Sequence, residues 1–246
     1  MLNVNVLTLF PDMFTPLQVS LLGRGQEDGK WKLNLVNFRD FSERPHKSVD
    51  DTPYGGGAGM VLQIMPIKAA LESLENKGKV IITAPQGRTF NEQMAQDWSK
   101  EENLTFICGH FEGFDHRIYG LADEIVSIGD YVLTGGELPT MSMIDATVRL
   151  LPGILGNAMS PVEESFSDGL LEYPQYTRPA DFEGQKVPDI LLSGNHGKID
   201  EWRHYQALKT TFLKRPDLLK GRELTKEEQQ MLLDIKAESE QEQSKR

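Results

Sequence analysis

The chain has 246 residues, 39% of them hydrophobic, and a formal net charge of −11 from 26 Lys and Arg against 37 Asp and Glu. That is enough for one large domain or two small ones with an ordinary core, and no apolar run approaches the roughly 20 residues that a spanning helix needs. The lone cysteine, Cys108, excludes an internal disulfide and fits a reducing cytoplasm; it closes an apolar run and reads as a buried structural thiol.

The opening MLNVNVLTLF carries no basic region or small-residue cleavage site, so residues 4–10 are read as a first strand. Pro11 and Asp12 signal a turn and helix start, with a short amphipathic helix over 16–26. Residues 31–38, WKLNLVNF, alternate apolar and polar and predict a half-buried strand. Residues 39–59, RDFSERPHKSVDDTPYGGGAG, have no usable period, and so long a loop inside a domain is usually functional or disordered. Next come a helix over 65–77 closed by Gly78, a buried strand over 79–84 ending at Pro85-Gln86-Gly87, and a helix from an Asn91 cap to Lys100.

The rest is organised around residues 108–139. Two short strands, 104–108 and 124–128, run into polar loops that spend Gly109, Gly113, Gly120, Gly129, Gly135 and Gly136, with Gly87 upstream, where a side chain would block close backbone approach. In an open parallel sheet, loops at the carboxyl ends of strands meet ligands. This predicts a small-molecule pocket built mainly from main chain. A methionine-rich helix over 137–151 ends at Pro152-Gly153, and the β/α alternation predicts an α/β fold with a mostly parallel sheet covered on both faces.

Residues 153–167 read as a linker, after which the alternation stops. Helices over 193–213, capped near Asn195, and over 225–238, opened by a T-K-E-E capping box, predict a small, mainly helical second domain. The expected division is 1–155, a linker over 156–168, and 169–246, with the final ESEQEQSKR a frayed, solvated end. Net charge argues against a nucleic-acid partner, but residues 198–222 hold seven cationic against three anionic side chains, a local face able to meet phosphates.

The small-residue run 55–59 lacks a P-loop ending and a GxGxxG frame. Following Asp50, Asp51 and Tyr54, it reads either as a shaped loop where a planar group approaches backbone or as a flexible turn with solvated aspartates. The five histidines show no metal-ligand spacing; His110, beside Gly109, lines the pocket or packs at the surface. Glu163, Glu164 and Asp168 are a solvated hinge or, at a domain boundary, a source of a proton-accepting carboxylate. Arg149 either stabilises developing negative charge or answers the macrodipole at a helix end. Trp202-Arg203 and FLKRP at 212–216 suit RNA equally as well as a core with solvated cations.

LTLFPDMF at 7–14, VDDTPYGGGAGM at 49–60, CGHFEGFDHR at 108–117, SIGDYVLTGGELP at 127–139 and LLEYPQYTRP at 170–179 together resemble the bacterial tRNA (guanine-N1)-methyltransferase family, in register over nearly the whole chain. The resemblance implies a SPOUT domain whose parallel sheet carries a deep trefoil knot, and a cytoplasmic homodimer with sites at its interface. It implies methyl transfer from S-adenosyl-L-methionine to N1 of the guanine immediately 3′ of the anticodon. Cofactor contacts would fall on Pro85, Gly109, Glu112, Gly113, Ser127, Ile128, Gly129, Asp130, Tyr131, Val132, Leu133, Gly135, Gly136 and Pro139. Contacts to the tRNA anticodon stem-loop would fall on His46, Asp50, Tyr54, Gly55, Gly56, Gly57, Gly59 and Arg203. Arg149 matches an arginine that assists catalysis. Glu164 stands where the family carries an aspartate as general base, with Asp168 in reserve. The scheme requires no dedicated metal; Mg²⁺ has a place in RNA folding or charge neutralisation. Two other functions share the pattern: ribose methylation by a similar pocket, and RNA binding without catalysis.

Overall fold

The computed structural model describes residues 1–156 and 164–243, and the chain divides into two units, Met1–Ala158 and Met159–Arg246. The first unit runs β1 (Leu2–Thr8), a 3-10 helix (Pro11–Gln18), α1 (Ser20–Glu27) and β2 (Trp31–Asn37), then two 3-10 turns (Phe38–Phe41 and Pro45–Lys47) and the ribbon strands β3 (Asp50–Asp51) and β4 (Val61–Leu62). It continues through α2 (Ile64–Glu72), β5 (Lys79–Thr89), α3 (Glu92–Trp98), β6 (Asn103–Ile107), a 3-10 helix (His116–Leu121), β7 (Glu124–Ser127) and α4 (Glu137–Val148).

Five of these strands form one parallel sheet in the order β2-β1-β6-β5-β7. Alternate residues serve opposite faces. Val4, Ile81, Phe106 and Val126 pack with Phe14, Trp98 and Ile144 on one side, while Leu7, Ile82 and Ile107 pack with Phe38, Ile67 and Ile118 on the other. With both faces covered, β1 is almost continuously buried, as parallel strands are; only edge strand β2 keeps the alternating exposure its sequence announces. A polar ladder crosses the apolar layers: Asn34 donates to Asn5 Oδ1 (2.9 Å), Asn5 donates to Thr105 Oγ1 (3.2 Å), and Thr105 donates to the Lys77 carbonyl. A slip by one residue would strand these buried groups without partners, so the ladder specifies register.

Several boundaries differ from the sequence reading. The helix expected over 16–26 is broken at Val19, extended, and Ser20, which takes φ 58°. The helix expected to reach residue 77 stops at Glu72, because Ser73 Oγ donates back to the Ala70 carbonyl and Asn76 Oδ1 accepts from Gly78 N–H; such local bonds compete with helix propagation. Gly78 does not close that helix. A Cβ there would lie 1.9 Å from the Asn103 carbonyl oxygen. Strand β5 continues past Pro85 to Thr89, with a register jump: Val126 pairs with Thr83 and again with Arg88. Residues 39–59 are not structureless, since β3 and β4 pair antiparallel and hold up a glycine-rich tip.

In the second unit a short hairpin, β8 (Asp181–Phe182) with β9 (Gln185–Lys186), precedes α5 (Asp189–Leu192), α6 (His196–Lys214), a 3-10 helix (Pro216–Leu219) and α7 (Lys226–Gln243). The hairpin escaped the sequence reading because it has only two residues per strand, around Glu183 and Gly184 at positive φ. Both expected caps form. Asn195 Oδ1 accepts from Lys198 N–H, while Thr225 and Glu228 exchange side chain-to-backbone bonds at 3.1 and 2.8 Å. The core is small, with Leu170, Ala207, Leu208 and Ile235 buried and Phe212 packed beside them. Leu208 is therefore core, whereas Trp202 is half-buried against Tyr176. Most of the tail read as frayed is helical, because α7 extends to Gln243. Glu163 and the middle of the expected linker lie outside the described residues.

Candidate active site

The middle of β5 and the carboxyl ends of β6 and β7 open into a cavity of about 240 Å³. Its walls are Thr83, Ala84 and Pro85 from β5, the turn 109–114 after β6, residues 126–129 closing β7, and the turn 131–136 with Pro139 leading into α4. The two glycine turns are joined by their main chains: Gly136 N–H donates to the Gly109 carbonyl at 2.8 Å, and His110 and Gly135 form an antiparallel bridge. Space dictates the glycines. A Cβ on Gly136 would lie 2.8 Å from Gly109 N and 3.0 Å from Cys108 Cα, and one on Gly109 would lie 2.9 Å from the Phe114 ring.

Beneath the turns, Glu137 opens α4 and is 1% exposed. A buried carboxylate needs partners; Thr8 Oγ1 donates to its Oε1 at 2.8 Å, and the helix N-terminus favours negative charge there. Cys108 lies in the same layer, its Sγ 3.4 Å from Thr140 Oγ1. Burial foremost, and then the charge of Glu137, push its thiol far above the ordinary range, so it stays protonated and inert.

The ribbon of β3 and β4 is fastened to the cavity rim. Glu112 N–H donates to the Met60 carbonyl (3.0 Å), Leu62 N–H to the Gly113 carbonyl (2.9 Å) and Asp115 N–H to the Leu62 carbonyl (2.8 Å). Gly59, at φ 78°, rests on Glu112 so closely that a Cβ would meet its Cγ at 2.3 Å. Gly55, Gly56 and Gly57 also take positive φ, and Tyr54 at the tip is fully exposed. The result is a glycine platform one residue away from a main-chain pocket.

A family model described as tRNA (guanine-1)-methyltransferase TrmD matches residues 2–221. The chain belongs to the tRNA (guanine-1)-methyltransferase family. Proteins named tRNA (guanine-N(1)-)-methyltransferase align end to end with it. That of Lactobacillus delbrueckii subsp. bulgaricus is 85% identical over 99% of this chain and all of its own length. That of Lactobacillus johnsonii is 81% identical over 97% of this chain and all of its own length, and that of Levilactobacillus brevis is 54% identical over 97% of this chain and 98% of its own.

Within this methyltransferase, Pro85, Gly109, Glu112, Gly113, Ser127, Ile128 and Gly129 line the cavity, as do Tyr131, Val132, Leu133, Gly135, Gly136 and Pro139. Asp130 does not. It is exposed at the apex of a turn closed by Tyr131 N–H on the Gly129 carbonyl, which carries it away from the wall. Gly87 and Gly120 are also outside; Gly87 is glycine because a Cβ would lie 2.4 Å from Val126 N. Asp50 and the glycines 55–59 sit on the ribbon, and His46 occupies the preceding 3-10 turn at φ 58°. Arg149 caps the carboxyl end of α4, whereas the cavity lies at its amino end; twelve helical residues separate them by about 18 Å. Glu164, Asp168 and Arg203 border one depression of the second unit, together with His204 and Tyr173.

The sequence reading missed Thr83, Phe111, Phe114 and Tyr119 as cavity walls. Thr83 precedes Pro85 by two positions on an extended strand and so shares its face, a signal that was available; the aromatics enter through turn geometry that no period reveals.

Proposed function

We propose that this chain transfers a methyl group from S-adenosylmethionine to N1 of the guanine immediately 3′ of the anticodon in tRNA. The observation that carries the reading is the seam between the ribbon and the cavity, where Met60 and Leu62 are bonded to Glu112, Gly113 and Asp115. It supports reading the ribbon tip as a guanine platform beside a donor pocket. The cavity fits the donor: paired glycine turns leave main-chain N–H and C=O groups approachable, and Tyr131, Val132 and Leu133 offer apolar area for an adenine. When bound, S-adenosylmethionine supplies an electrophilic methyl on sulfonium.

The protein's own work is alignment and proton removal. Guanine N1 carries a proton and is a poor nucleophile until that proton leaves. We assign its removal to Glu164, and to Arg149 the stabilisation of charge building on O6. Asp168, whose carboxylate accepts from Leu170 N–H (3.0 Å) and faces Arg222 at 3.9 Å, is the reserve candidate. The distance of Arg149 from its own chain's cavity supports a homodimer in which each pocket is completed by the partner. Contacts to the anticodon stem-loop are assigned to Asp50 and Tyr54 of the first unit and to Arg203 of the second.

A deep trefoil knot fits the connection from β6 to β7, which passes over β5, and the fold-back of residues 84–87 against β7. Acting on tRNA would set the enzyme in the cytoplasm; no helix among the described residues is long and apolar enough to cross a membrane. The scheme uses no metal in the chemical step.

The deciding experiment offers tRNA transcripts with guanine or adenine just after the anticodon, followed by nuclease digestion and mass spectrometry. N1-methylguanine from the first transcript alone is expected. Methyl incorporation regardless of that base would overturn the reading.

A further inference from the structure

Two polar groups in the wall of the cavity face each other across a bond that is not made. His110 Nδ1 is buried and has no hydrogen-bond partner among the described residues. Opposite it, at 4.0 Å, is Glu137 Oε2, while the other carboxylate oxygen is taken by Thr8. A buried nitrogen left without a partner is costly, and Glu137 Oε2 is an acceptor close to it. The space between them is kept by Gly135, where a Cβ would lie 2.3 Å from Glu137 Oε2 and 2.7 Å from His110 Nδ1. That glycine bridges to His110 through the main chain, so the pair stands where the turn after β6 meets the turn before α4.

The surroundings leave this charge to the imidazole. Phe10 lies tilted at 4.8 Å and Phe111 perpendicular at 4.9 Å from the ring, so two sides of the imidazole face apolar side chains. Cys108, on β6, is held neutral by burial, and Glu112, two residues along the same turn, is engaged beneath Gly59. Glu137 is the carboxyl group that faces the ring, at 4.0 Å.

We propose that Glu137 is a positioning residue of the donor pocket: it takes the Nδ1 proton of His110 in a hydrogen bond and so pins the two glycine turns together around the bound methyl donor. Closing the 4.0 Å gap draws the turns over the cavity, and a second proton on Nε2 strengthens the pin by making it an ion pair. The inference rests on the cavity being the donor site, and gives that site a proton-linked affinity. Donor binding tightens as pH falls.

The test pairs calorimetric titration of S-adenosylmethionine from about pH 8 to about pH 5.5 with ¹⁵N spectra of histidine-labelled protein. In the wild type the spectra should show the proton of His110 on Nδ1 and affinity should rise toward low pH. Glu137→Gln, which keeps the shape and removes the charge, should bind about tenfold more weakly at neutral pH, the loss of one charged hydrogen bond, with the slope against pH abolished. A proton on Nε2 alone in the wild type, or wild-type affinity and slope in Glu137→Gln, would overturn the proposal. Should Glu137→Gln fail to fold, His110→Asn at the partly exposed partner decides: a lost slope supports the pin and a retained slope refutes it. If the wild type binds no donor at all, the assignment of the cavity falls, while the His110 tautomer still reports on the pair.

Discussion

Glu164 and Asp168 have the same chemistry and lie four residues apart, so only their surroundings separate them. Asp168 spends its carboxylate on the turn that begins Leu170. As the proposed base, Glu164→Gln should lower turnover by about 10²- to 10⁴-fold, the usual contribution of a general base, with the dissociation constant for S-adenosylmethionine unchanged by calorimetry. Asp168→Asn should keep most of the rate; the reverse pattern would move the base to Asp168. Asp115 makes a prediction about pH. Its carboxylate accepts from Arg117 Nε and backbone N–H at 2.9 Å, and the guanidinium bond foremost holds its pKa down to about 2. A depressed carboxylate stabilises the fold above its unfolded value, and that contribution disappears as pH falls through the folded one. Asp115→Asn should cost roughly 0.5 to 1 kcal/mol at neutral pH. In urea titrations the gap from wild type should close as pH drops from the ordinary aspartate range through about 2. A gap that persists at the lowest pH would show that charge is not its origin.

At the scale of elements, the glycines of the turns are set by contact as much as by dihedral freedom. Gly136→Ala places a carbon 2.4 Å from Thr83 Oγ1 and 2.8 Å from Gly109 N. Because backbone must move, donor affinity should drop at least tenfold while far-ultraviolet circular dichroism stays native; an unchanged affinity would show that the turns part without disturbing the cavity. The strands were legible beforehand wherever a period of two or a buried run survived, and so were the caps at Asn91, Asn195 and Thr225, because capping is written in adjacent residues. The cavity was legible too, since loops rich in glycine after strands have few other uses. What periodicity could not show was the pairing of Asp50–Asp51 with Val61–Leu62, a ribbon two residues wide, or its attachment to the turn 110–115. Neither could it show the jump from Thr83 to Arg88 along β7. These depend on contacts between distant segments, not on local preference. Glu137 escaped notice for a related reason: a glutamate at a helix start looks like a solvent-facing dipole partner, and only the fold reveals that it is buried.

For the whole molecule, the placement of Arg149 at the far end of α4 from its own cavity predicts complementation. In the proposed homodimer, Arg149→Ala and Gly136→Ala proteins, assayed at a donor concentration that leaves each nearly inactive alone, should regain roughly a quarter of the wild-type rate when unfolded and refolded together, since half of such dimers would be mixed and each would hold one intact site. Continued inactivity would mean that arginine and pocket act within one chain or not at all. The sheet order has a further consequence during synthesis. Strand β1 is paired on one side by β2 almost at once, but its other edge waits for β6, with Val4 opposite Leu104. At translation speeds of about 5 to 20 residues per second that edge stays open for roughly 5 to 20 s. A strand buried along nearly its whole length is thus left unzipped as the ribosome works, until the residues of β6, beginning at Asn103, have been made.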